Sequence, residues 1–92
     1  MKIAINRCFG GFNLSTKALE YYNNLTGKDA KYHWDIERDD FALIQTLESI
    51  GLEESGGPHS ELAIIEVPDD VKWQIEEYDG VEHVAEVHRT WN

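Results

Sequence analysis

Little in this chain staples, interrupts or embeds it. A single cysteine among 92 residues, Cys8, rules out an internal disulfide and any multi-cysteine zinc cluster. There are two prolines, Pro58 and Pro68, and no stretch of about eighteen apolar residues that could cross a bilayer as a helix. No basic, apolar leader opens the sequence, so a cytoplasmic protein is expected. Positive charge is scarce: eight Lys and Arg stand against eighteen Asp and Glu, for a net charge of -10. Such a field repels nucleic-acid backbones and anionic lipid and favours a partner with a basic surface. Direct binding of nucleic acid or membrane is therefore not expected.

The acidic excess is uneven. From Glu53 to Glu86 there are eleven acidic residues, and Lys72 is the only Lys or Arg. One reading is a solvated sheet face whose charges serve solubility; the sharper one is a surface that competes for a nucleic-acid-binding groove. Ninety-two residues suffice for one core and hence one domain, residues 1–92. A chain of this size buries roughly 60 to 65 percent of the surface it exposes when unfolded. Self-association would add burial, so a homodimer is expected, pairing through a sheet edge or the helix face carrying Tyr21.

Local signals place most elements. Lys2 to Asn6 alternates as a strand, with Ile3 and Ile5 on one face. Ser15 is an N-cap, Leu14 and Leu19 stand at the positions of a hydrophobic staple, and Ala18, Tyr22 and Leu25 form the stripe of a helix stopped by Gly27. Lys31 to Trp34 reads as a short edge strand. Asp39 or Asp40 caps a second helix with Phe41, Ile44, Leu47 and Ile50 facing inward, ending at Gly51. A glycine-rich loop over residues 54 to 60 leads to a strand from Glu61 to Val67, a turn at Pro68 to Asp70, and a strand in which Val71, Trp73 and Ile75 alternate.

The last hairpin has two candidate registers. A two-residue turn at Asp79 and Gly80 sets Trp73 opposite Glu86 and Lys72 opposite Val87, mixing apolar and charged residues on both faces. A three-residue turn with Gly80 left-handed pairs Ile75 with His83, Trp73 with Ala85, and Val71 with Val87, which gives one apolar face and is the register expected. A helix over residues 81 to 88 is the alternative, since Val81, Val84, Ala85 and His88 have helical spacing and Asp79 with Glu82 resembles a capping box. Either way the class is α+β: a small four-stranded, mostly antiparallel sheet with two helices packed on one face.

The stretch NRCFGGFNLS, residues 6 to 15, raises the question of a ligand. If Gly10 and Gly11 turn the chain sharply, the amides around Phe12 to Lys17 converge on one spot, where the helix dipole favours an anion. Arg7 supplies a bidentate grip, Lys17 a second charge, and Asn6, Asn13 and Ser15 hydrogen bonds. The segment lacks the spaced glycines of a dinucleotide fingerprint and the Gly-Lys-Ser/Thr of an ATP-type loop. The plainer alternative is a tight corner, with Phe9 and Phe12 packed against the core. Signs of catalysis are thin. Cys8 lies beside Arg7, but nothing in the spacing of the histidines at 33, 59, 83 and 88 joins one to it. Asp35, Glu37 and Asp39 alternate as calcium ligands do, without the glycine and final glutamate such a loop requires. On a strand, His83 and His88 point to opposite faces. No catalytic residue, metal site or cofactor is assigned.

Three stretches carry a resemblance: KIAINRCFGGFNLSTKAL, IERDDFALIQTLESIG and IIEVPDDVKWQIEEYDGVEHVAEVHRTW. They are similar to a family of small uncharacterised proteins encoded by tailed bacteriophages and prophages, and they cover nearly the whole chain. That family commonly has proline where this chain has Phe41. The resemblance carries over no catalytic or binding residue. It implies a setting, that of viral host-takeover or anti-defence factors, which act in the host cytoplasm by binding and blocking. The tail adds Arg89 and Trp91, a cation and an aromatic suited to an interface, and Tyr21, Tyr32, Trp34 and Tyr78 mark a contact face if exposed together. The expectation is a non-enzymatic inhibitor or modulator of a host protein with a basic surface, with a small anionic, nucleotide-like ligand at the Gly10 and Gly11 corner as the alternative.

Overall fold

The computed structural model describes residues 1–87. Residues Ile3 to Asn6 of strand β1 (Lys2–Asn6) are wholly buried, as expected of an apolar strand covered on both sides. β1 pairs antiparallel with β2 (Leu62–Glu66), Ala4 opposite Ile64 and Asn6 opposite Leu62. Two helices pack on each other beside this pair, the second of them against β1. α1 (Thr16–Thr26) starts at Ser15, whose hydroxyl accepts the Ala18 N–H, and stops at a left-handed Gly27. α2 (Phe41–Ile50) starts at Asp40, whose carboxylate accepts the N–H groups of Ala42 and Leu43. The other oxygen of Asp40 takes the Tyr22 hydroxyl at 2.8 Å, tying the two helices together. Burial first, and that bond second, push the Tyr22 phenol up to about 12.

The core between helices and strands is made of Ala4, Phe12, Leu14, Ala18, Tyr22, Ile36, Leu43, Ile44, Leu47 and Leu62. A one-turn α3 (Leu52–Ser55) follows Gly51 and packs on α1, α2 and β2. β3 (Trp73–Tyr78) and β4 (Val81–Glu86) form the last hairpin.

The α+β class is as expected, but the strands form two two-stranded sheets, β1 with β2 and β3 with β4. The reason lies at the edge of β1. Arg7 N–H reaches Glu61 O and Val67 N–H reaches Met1 O, so the odd-numbered residues of β1 bond to β2 and the even-numbered ones face away. There the Ala4 N–H goes to the Arg38 carbonyl and the Asn6 N–H to the Glu82 carboxylate. A third strand finds this edge already occupied.

The hairpin register is also corrected. Trp73 lies opposite Glu86, Ile75 opposite Val84 and Tyr78 opposite Val81, because Asp79 and Gly80 are both left-handed, with φ of 51° and 84°, as a two-residue type I′ turn requires. This is the register that mixes charge with apolar residues, and the charge is used: Glu82 faces β1 and is buried there. Residues 81–86 are strand, so the helical alternative for this segment falls. Three smaller expectations fail. His33–Asp35 is a 3-10 turn, not part of an edge strand. Phe41 is 81% exposed, since at the first helical position it points off the buried stripe that Leu43, Ile44 and Leu47 make. Leu25, one residue from the end of α1, is exposed, and the helix buries Ala18 and Tyr22 alone.

Candidate functional site

The polar groups of the sequence-marked corner converge, but on one another. Asn6 sits at the end of β1, fully buried. Its amide nitrogen donates to the carbonyls of Cys8 (2.6 Å) and Gly80 (2.8 Å), and its oxygen accepts the N–H groups of Glu61 (2.8 Å) and Cys8 (3.3 Å). One side chain thus joins β1, the corner after it, the start of β2 and the turn of the hairpin. All of its donors and two acceptor sites are engaged.

Gly10 and Gly11 shape this corner by close approach. A Cβ on Gly10 would lie 2.0 Å from the His59 carbonyl oxygen, a contact only glycine permits. Phe12 packs into the core as expected, whereas Phe9 is 79% exposed. The Phe9 backbone is held close: Phe9 O lies 2.4 Å from where a Cβ of Gly80 would stand. The backbone is pressed against the hairpin, and the ring turns outward.

The N-terminus of α1 is covered. Ser15 N–H donates to Ser55 O and the Ser15 hydroxyl to Glu54 O, while Lys17 lies 3.6 Å from the Glu54 carboxylate. Asn13 gives its carbonyl to the Gly57 N–H and the Ser60 hydroxyl. Arg7 is exposed and makes no ion pair among the described residues. The structure therefore brings Asn6 and Gly11 together with Gly80 and sets Gly10 against His59. It places Asn13, Ser15 and Lys17 against the segment from Glu54 to Ser60. Arg89 and Trp91 lie outside the described residues. Cys8 is a half-buried free thiol, and no cluster of three or more His, Cys, Asp and Glu is placed to hold a metal among the described residues.

A second cluster went unseen in the sequence. Arg38 and Glu82 form a bidentate pair, 2.7 Å and 2.8 Å, with Glu82 7% and Arg38 22% exposed at the side chain. Glu82 also accepts the Asn6 N–H at 2.8 Å, and Arg38 donates to the Ala4 carbonyl at 3.2 Å. The guanidinium lies 3.6 Å from the centre of the Phe12 ring, whose edge meets His33. Burial first and the Arg38 charge second hold His33 below the usual imidazole range. Arg38 and Glu82 are 44 residues apart, and no local pattern links them. The one available signal was the Asp-Gly turn, whose preferred register turns Glu82 to the same face as Val84 and Ile75.

This brace holds out an arm. β4 packs on β1, while β3 packs mainly on β4. The face of the hairpin turned to β1 carries half-buried Trp73, Ile75 and Val84 beside Glu82; the outer face carries exposed Glu76, Tyr78 and His83. Glu77, Asp79 and Glu86 are exposed as well, so within residues 71–87 Lys72 is the only Lys or Arg of a strongly acidic arm, and Arg38 meets it from outside, engaged with the buried Glu82. In comparisons with protein families, curated proteins and solved structures, nothing matches this chain. The resemblance to phage-encoded proteins rests on the three quoted stretches alone. Elsewhere on the surface, Tyr32 and Trp34 stack at 4.4 Å and are both exposed. A mostly apolar notch of about 340 Å³ lies between Met1, Lys2 and the α2 residues Phe41, Ile44 and Glu48.

Proposed function

We propose that this chain is a non-catalytic binding protein of phage type that inhibits or modulates a host protein, using the β3–β4 arm to engage a basic surface. The carrying observation is the arm itself: Glu76, Glu77, Asp79 and Glu86 are exposed on a hairpin held to β1 by a buried ion pair. A braced arm presents charge at a fixed position, which gives complementarity its specificity and speeds encounter. A surface of this sign suits a partner that itself binds nucleic acid, and the chain then competes with that nucleic acid.

The test is capture of host proteins on the tagged chain at low and high salt, in parallel with a Glu76→Lys/Glu77→Lys variant. The expected result is a partner identified by mass spectrometry, retained by the wild type at low salt, released at high salt and absent from the variant. Recovery of the same proteins by both chains, or of none by either, would overturn the reading. Addition of nucleic acid to the captured complex then asks whether the two compete.

A further inference from the structure

The hairpin ends in an open edge, and the ladder geometry fixes which groups it presents. Val87 N–H donates to Lys72 O at 2.8 Å. In the observed register the ladder bonds of β3 therefore fall on Lys72, Gln74, Glu76 and Tyr78, and the N–H and C=O of Trp73, Ile75 and Glu77 point away from β4. No backbone hydrogen bond to those outward groups occurs among the described residues. Such a row is a template for another strand.

We infer that the outer edge of β3 accepts an extended segment of a partner in which basic and apolar residues alternate. This rests on the acidic-arm reading above and specifies its mode. The alternation follows from the two faces of the hairpin. An added strand places every second side chain beside Trp73 and Ile75, which are half-buried and apolar, with exposed Glu77 at the turn end of that face, and the others beside Gln74, Glu76 and Tyr78 on the outer face. The first set favours aliphatic residues; the second favours Lys or Arg, facing a carboxylate and an exposed aromatic ring. Main-chain bonds supply affinity and the alternating side chains specificity. Charge chooses the occupant: a second copy of this chain would set Glu76 and Glu77 against another acidic edge, whereas a basic strand neutralises them. The outer edge of β2 fits less well, since α3 packs on that strand and its outward residues are Leu62, Ile64 and Glu66.

The probe is a blocked peptide alternating lysine and valine, added to the isotope-labelled full chain while amide hydrogen exchange is followed residue by residue. Controls are a peptide of the same composition with the lysines and valines in two blocks, and one alternating glutamate and valine. Exchange at the Ile75 and Glu77 amides is expected to slow by about tenfold or more with the alternating basic peptide, with no such change in α2. In the Glu76→Lys/Glu77→Lys chain the preference should pass to the glutamate peptide with the same two amides protected. Binding that leaves Ile75 and Glu77 unprotected, equal binding of the block peptide, or no binding of the alternating one would each overturn strand addition. Charge-dependent capture of a host partner that survives any of these results leaves the acidic-arm reading standing; loss of both removes both.

Discussion

At the scale of single residues, the corner after β1 turns on what buried polar groups bond to. Asn6 was visible as a polar residue ending an apolar strand, and its amide is a natural ligand-binding group. Whether that amide meets a solute or the chain's own backbone depends on Gly80, 74 residues away. Arg38 and Glu82 were legible only as two charges among many, because a salt bridge formed by the fold leaves no mark on either neighbourhood. Their energetics are asymmetric. A buried pair adds little net stability, but removing one member leaves the other with its charge uncompensated. Glu82→Ala is expected to lower stability by about 3 kcal/mol, since it leaves the buried Asn6 N–H without its acceptor and the Arg38 guanidinium with the Ala4 carbonyl and partial solvent alone. Glu82→Gln should lose less, as an amide oxygen still accepts one of these donors. Urea unfolding of the two variants beside Glu86→Ala, an exposed acid of the same strand, measures this; a Glu82→Ala loss no larger than that of Glu86→Ala would overturn the bracing role.

At the scale of elements, α1 and α2 were legible because their signals are local: Ser15 and Asp40 cap, Gly27 and Gly51 stop, and the stripe between them has the helical period. The hairpin was legible as two strands and a turn, not in its register. Weighing registers by the purity of one apolar face failed because a buried charge with a partner counts as an interior residue, and the partner is remote. The backbone preference of Asp-Gly for a two-residue turn was the better guide. Gly80 then serves twice, by its left-handed φ and by its close approach to Phe9 O, whereas Gly27 is left-handed with open space around it. Gly27→Ala should therefore cost about 1 kcal/mol, the conformational term alone. Gly80→Ala should cost clearly more and speed amide exchange in β4 ahead of α2, because the backbone it meets cannot rotate aside. Equal losses for the two variants would show that the corner does not press on the hairpin.

At the scale of the whole molecule, shape and charge act together. The molecule extends over 47 × 28 × 20 Å and carries a net charge of -10. Among the described residues the outer edges of both sheets have no neighbouring strand, which is the physical motive for the homodimer expected from chain length. Like-charged copies repel, and that repulsion reaches across most of the molecule at low ionic strength, where the screening length is about 30 Å at ~0.01 M, but only about 3 Å at ~1 M. A dimer seam built on the backbone edge of β2, whose outward groups are those of Leu62, Ile64 and Glu66, depends little on salt in its main-chain bonds and gains from screening of everything around it. Binding of a basic segment to β3 loses by the same screening. The two associations must therefore respond to salt with opposite signs. Sedimentation equilibrium is expected to show a mass near 10.6 kDa at low salt that rises toward twice that value as salt increases. A monomer at every salt concentration would overturn the homodimer, and a dimer that salt dissociates would place charges of opposite sign across the seam instead of main-chain bonds.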